Sequence, residues 1–142
     1  MERYFATYST LRQYMTDVVA QAEKDGYVQT LFHRRRALPE LHSSNHNLRE
    51  FGKRVALNMP VQGTAADIMK IAMLRVHDRL AAEGLRAQLL MQVHDELIVE
   101  CPEAERERVA HILTEEMEHA AALSVPLTVD AHWGKNWLEA KG

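Results

Sequence analysis

The run Gln92-Val93-His94-Asp95-Glu96 puts an imidazole and two carboxylates on three consecutive residues. Carboxylates on a rigid turn between buried strands are hard oxygen donors suited to a cation such as Mg²⁺. The same three residues also read as an ordinary acidic turn, because Asp and His favour turns and Glu favours water. No second carboxylate ligand follows from spacing. Arg54, Asn58 and Gln62 recur at four-residue steps, and the first two share one helix face. Their donors match minor-groove acceptors common in position to all base pairs, and a solvated polar stripe is the competing reading. The run Arg34-Arg35-Arg36 offers guanidinium groups for phosphates, or simply a solvated basic tip.

These residues need elements to hold them. From Tyr4 to Lys24, the residues Phe5, Tyr8, Leu11, Met15, Val18, Val19 and Ala22 form one helical stripe that Gly26 ends. Tyr27 to Phe32 is β-branched and aromatic, and Arg36-Ala37-Leu38 ahead of Pro39 can return beside it. A short hairpin follows, with His33, Arg34 and Arg35 near its tip. Asn47 with Glu50 resembles a capping box opening a helix through about Met59, where Pro60 interrupts it. Gly63-Thr64 then begins a second helix, carrying Met69, Met73, Val76 and Leu80 on one face until Gly84.

From Leu85 to Val93 every odd position is apolar, the period of a half-buried strand, with Met91 on its core side. Leu97-Ile98-Val99 can pair with it, turning at His94-Asp95-Glu96. Pro102-Glu103-Ala104-Glu105 opens a helix whose buried stripe is Val109, Ile112, Leu113, Met117 and Ala120. Val125 to Ala131 reads as a last strand. The order predicts an α+β fold, with helices packed on a small antiparallel sheet.

The 142 residues, 46% of them hydrophobic, suffice for one ordinary core, so one compact domain or a piece of one is expected. With 17 basic and 20 acidic residues the net charge is -3, so any nucleic-acid binding must be local. The single cysteine, Cys101, suits a reducing cytoplasm, and no run approaches a membrane span. None of the eight histidines has the Cys/His spacing of a structural zinc site. The start at Met1 reads as that of a segment cut from something larger.

Taken together and in order, the segments resemble the A family of DNA polymerases, the bacterial DNA polymerase I type, across essentially the whole chain. Tyr27-Val28-Gln29-Thr30-Leu31-Phe32-His33-Arg34-Arg35-Arg36 is similar to the family's Gly-Tyr-Val-Glu-Thr-Leu-x-Gly-Arg-Arg-Arg segment. Asn58-Met59-Pro60-Val61-Gln62-Gly63-Thr64-Ala65-Ala66-Asp67 resembles its helix-breaking palm segment, and Gln92 to Leu97 its motif C. Val125-Pro126-Leu127 and Trp137-Leu138 match the usual C-terminus.

The resemblance implies a partial polymerase palm with the end of the fingers region. Residues 1–41 would be the helix and basic hairpin, and residues 42–142 the palm segment with motif C. It implies that Asp95 is one of two palm aspartates on a catalytic Mg²⁺ pair, with Glu96 nearby and His94 positioning the primer terminus. Arg54, Asn58 and Gln62 would face the primer-template minor groove, reading pair geometry rather than sequence. The partners implied are primer-template DNA and deoxynucleoside triphosphates, in replication or repair.

The departures are equally specific. The family's other metal-binding aspartate lies in an Asp-Tyr-Ser-Gln-like motif A, and the triphosphate-gripping fingers helix carries Arg-Lys-Phe-Tyr. Neither segment occurs in this chain. His33 stands where glycine is usual, although histidine accommodates positive φ less readily. The expected product is therefore a C-terminal polymerase fragment, inactive alone. The rivals are a non-catalytic DNA-binding module, or a split-polymerase partner that self-associates or awaits a missing N-terminal segment. A metal-dependent phosphodiesterase would need ligands beyond His94-Asp95-Glu96.

Overall fold

The computed structural model describes residues 7–141, so the expected helical positions Tyr4 and Phe5 lie outside the described residues. The chain divides into two compact units, Met1–Asp67 and Ile68–Gly142. The fold is α+β and rich in helix, with two two-stranded antiparallel sheets among the described residues rather than one small sheet.

In the first unit, helix α1 spans Ser9–Asp25. Its last turns carry the packed part of the apolar stripe, with Ala22 buried and Val19 against the same core, whereas Tyr8 and Leu11 are exposed. Gly26 stops the helix in the left-handed region at φ 76°, its N–H donating to the Ala22 carbonyl at 2.9 Å. Glycine reaches that conformation without a Cβ clash. The Gly26 carbonyl then accepts from the Leu38 N–H at 2.8 Å, closing the hairpin at its base.

Strands β1 (Tyr27–Gln29) and β2 (Arg35–Ala37) pair Tyr27 with Ala37, Val28 with Arg36 and Gln29 with Arg35. Arg35 is therefore a strand residue, and the tip is Thr30 to Arg34. A 3₁₀ turn, Pro39–His42, buries Leu41. The core of this unit is Ala22, Val28, Leu38, Leu41 and Ala56.

Helix α2 runs unbroken over His46–Ala82, with Pro60 inside it. Two sequence expectations change here. The N-cap is Asn45, whose Oδ1 accepts from the Asn47 N–H at 2.9 Å, while Glu50 pairs with the Lys53 ammonium at 2.8 Å instead of closing a box. The break at Pro60 does not occur. Proline removes one backbone donor and costs a helix interior about 3 kcal/mol. Ala56 before it and Met69 after it are both buried, so tertiary packing on each side outweighs that local loss. The Thr64 hydroxyl additionally donates to the Pro60 carbonyl.

In the second unit, β3 (Gln88–Val93) and β4 (Glu96–Glu100) pair antiparallel, closing with Val93 opposite Glu96. β3 starts three residues later than the alternation suggests. The N–H groups of Arg86 and Ala87 donate to the Glu105 carboxylate at 3.0–3.1 Å, leaving them unavailable for strand pairing. Leu89 lies opposite Val99 and Met91 opposite Ile98, so Leu90 is an extra residue on β3. Such a bulge shifts side-chain parity, and Met91, expected in the core, is 48% exposed.

Helix α3 (Arg106–Glu118) follows a 3₁₀ turn at Glu103–Glu105. Val109 and Ile112 pack with Val76, Leu80 and Ala87, and Leu113 and Met117 lie against them as the spacing predicts. Val125 to Ala131 forms no strand. It pairs with no strand among the described residues, and the Val129 N–H donates instead to Glu118 at 3.1 Å. A short helix, α4 (Trp137–Ala140), is capped by Asn136. No helix among the described residues is long and apolar enough to cross a membrane.

A charged cluster ties α2 to α3 within this unit: Arg79 meets Glu83, Glu116 and Glu115, and Arg108 meets Glu83. The Arg108 hydrogen bonds, then that of Arg79, pull the Glu83 carboxyl from its ordinary 4.5 down to about 2. A depressed carboxyl contributes stability that is present above its unfolded value and lost as the pH falls through its folded value. Glu83→Gln is therefore expected to lower stability near neutrality, with the gap to the parent closing between pH 4.5 and about 2. Urea unfolding at a series of pH values reads this; a gap constant down to pH 2 contradicts it.

Candidate functional site

The acidic turn belongs to the second unit. His94 and Asp95 form a two-residue connection between β3 and β4, and His94 has φ 53°. Tight hairpin loops demand such a left-handed residue because it matches the twist of the flanking strands. The Gln92 side chain braces the loop by donating to the His94 carbonyl at 2.8 Å. Asp95 at the apex is exposed, and Glu96, the first residue of β4, is half-buried. Among the described residues neither carboxylate has a hydrogen-bond or ion-pair partner.

Two adjacent, unpartnered carboxylates on a braced turn are a donor set that fits a hard divalent cation, with the imidazole of His94 beside them. Among the described residues no three His, Cys, Asp or Glu side chains gather into a metal-binding group.

The other candidates belong to the first unit. The hairpin β1–β2 and the N-terminal half of α2 border an open groove of about 450 Å³. Arg34, Arg35 and Arg36 line one wall, and Asn58, Met59 and Gln62 the other. The structure thus brings the basic run and two of the three periodic polar residues together. Arg54 sits one turn before Asn58, exposed and outside the groove lining. Arg35 stacks over the Tyr27 ring at 4.6 Å, which orients it along the hairpin.

Arg34 is held differently. Its Nε pairs with Asp67 at 2.8 Å and its Nη2 donates to the Gly63 carbonyl at 3.1 Å. The tip itself is docked on α2, where the Leu31 N–H donates to Thr64 Oγ1 at 2.9 Å. Gly63 permits this approach, since a Cβ there would lie 2.7 Å from Thr30 Cγ2. Thr30 is buried, and its hydroxyl accepts from the Phe32 and Arg34 N–H groups. His33 has φ 64°, so histidine occupies a left-handed position that glycine would take with less strain. Thr30, Thr64 and Asp67 carry no signal in periodicity or charge spacing. Their roles arise only when the hairpin meets the helix.

Residues 1–139 match DNA polymerase family A. The chain is 52% identical over 141 residues to DNA polymerase I of Geobacillus stearothermophilus, covering 99% of this chain and 16% of that protein. Identity to DNA polymerase I of Bacillus subtilis is 49% over the same length, again 99% of this chain and 16% of the relative. The chain therefore spans about one sixth of the length of these relatives. A solved structure of the POL domain of Pol1 from M. smegmatis, in complex with DNA primer-template and dNTP, superimposes with a TM-score of 0.96 at 47% identity. It covers all of this chain and 25% of that one.

Proposed function

Since the chain belongs to DNA polymerase family A, we propose that it supplies the motif C portion of the palm and part of the duplex-binding wall for template-directed deoxynucleotidyl transfer. The observation that carries this reading is the pair of unpartnered carboxylates, Asp95 and Glu96, on the braced turn of β3–β4. They would hold Mg²⁺, and His94 would position the primer terminus. A divalent cation held there would supply the charge that activates the primer 3′-hydroxyl and stabilises the pyrophosphate leaving group.

Arg54, Asn58 and Gln62 would contact the minor groove near the primer end, where their donors meet acceptors shared by every base pair. Arg34 and Arg35 would neutralise phosphates from the groove wall. A complete paired-metal site needs a second aspartate and a triphosphate grip, and this sequence contains neither motif. The partners are accordingly primer-template DNA and, with the remaining polymerase segments, deoxynucleoside triphosphates.

Primer extension by the 142-residue chain with Mg²⁺ and the four deoxynucleotides tests the incompleteness of the site. The expected result is no product above the protein-free control. Sustained incorporation would overturn this reading.

A further inference from the structure

Within the first unit, one ion pair determines how the basic hairpin presents itself to the groove. Asp67 is largely buried, with its side chain 12% exposed, whereas Arg34 is 47% exposed. Oδ1 of Asp67 receives Arg34 Nε at 2.8 Å, and Oδ2 is buried with no hydrogen-bond partner. A carboxylate so desolvated is costly unless it is paired with a charge. Its partner is fixed at a second point, where Arg34 Nη2 meets the Gly63 carbonyl at 3.1 Å.

Two-point fixation matters because a free arginine side chain loses considerable rotamer freedom whenever it grips a ligand. Here that freedom is already spent inside the protein. The guanidinium has five donors, of which the pair and the carbonyl use two, and the rest remain at the half-exposed groove wall. The opposite wall carries Asn58 and Gln62, whose side chains have no hydrogen-bond partners among the described residues.

We propose that Asp67 is a positioning residue for duplex binding: it holds the Arg34 guanidinium in the orientation that meets a backbone phosphate across the groove from Asn58 and Gln62. This rests on the reading of the groove as a duplex-binding surface. Asp67 touches no nucleic acid itself. It acts through Arg34, exchanging some net positive charge for a fixed direction of the remaining donors.

The test is binding of a fluorescent primer-template duplex to the chain over a range of salt concentrations, for the parent, Arg34→Gln, Asp67→Asn and the double variant. Each phosphate contact contributes about 0.9 to the slope of log affinity against log salt. Arg34→Gln is expected to lower that slope by about one contact, and Asp67→Asn by the same amount. The double variant should fall no further than either single one.

Equal or tighter binding by Asp67→Asn would overturn the proposal, since it would mean that Asp67 merely neutralises Arg34. Additive losses in the double variant would also overturn it. Arg34→Lys is a second probe that leaves the charge in place. Lysine lacks the planar fork, so affinity should fall nearly as far as with Arg34→Gln, and full retention would show that charge without fixation suffices. A parent chain with no salt-sensitive duplex binding would reject the groove reading itself. Salt-sensitive binding by the parent with an unchanged Asp67→Asn slope would reject only the role of Asp67.

Discussion

Asp95→Asn is expected to remove nucleotide incorporation almost completely in a polymerase carrying this segment, by on the order of 10³-fold or more, while leaving duplex affinity unchanged. The substitution is nearly isosteric. Asp95 is exposed at the loop apex, and its side chain makes no hydrogen bond among the described residues, so the hairpin has no side-chain interaction to lose. What changes is the donor: an amide is neutral and a poor ligand for a hard cation compared with a carboxylate.

The isolated chain offers an independent reading of the same residue. Titration with Mn²⁺ should broaden nuclear magnetic resonance signals around residues 94–96 at millimolar metal, the range expected for a site with few carboxylates. Asp95→Asn should abolish that broadening. Incorporation within a few-fold of the parent, or broadening unaffected by the substitution, would remove Asp95 from the metal site.

Leu38→Ala is expected to cost about 2–5 kcal/mol, because a fully buried leucine leaves a cavity that its surroundings fill only in part. Leu38 has no solvent exposure and packs with Ala22, Val28, Leu41 and Ala56, joining α1, the hairpin and α2 within the first unit. Its N–H bond to Gly26 survives in alanine, so the loss is one of packing. With a denaturant slope of about 2 kcal/mol per molar urea, the midpoint should drop by roughly 1–2.5 M. Duplex binding should weaken with it, since β2 carries Arg35 and Arg36 on the groove wall. Leu11→Ala, at an exposed site on α1, should stay within about 0.5 kcal/mol of the parent. A comparable loss for both would mean that the core is not centred where the burial places it.

Much of the architecture follows from local sequence. The stop of α1 at Gly26, the two hairpins and the buried face of α3 at Val109 and Ile112 can each be read from turn chemistry or apolar period, because each reflects interactions among near neighbours. Where local and tertiary preferences conflict, the sequence misleads. Pro60 looks like a helix break and is not one, since packing on both sides outweighs one missing donor. Val125 to Ala131 looks like a strand and is not one, since β-branched residues cannot provide their own pairing partner. Leu90 bulges out and exposes Met91, which alternation alone assigns to the core.

The candidate site divides in the same way. By itself the sequence determines which groups are present: the carboxylates of Asp95 and Glu96, the periodic Arg54, Asn58 and Gln62, and the arginine run, in the order that resembles family A polymerases. Residue type and short-range spacing are covalent facts, and they set the available chemistry. Only the tertiary structure decides which groups are free to use it. Asp95 in the two-residue turn and Glu96 at the start of β4 have no partners among the described residues, whereas Arg34 is held by Asp67 from 33 residues further along the chain. No local rule could anticipate that pair, because it exists only when the closely docked hairpin tip meets Gly63 and Thr64 on α2.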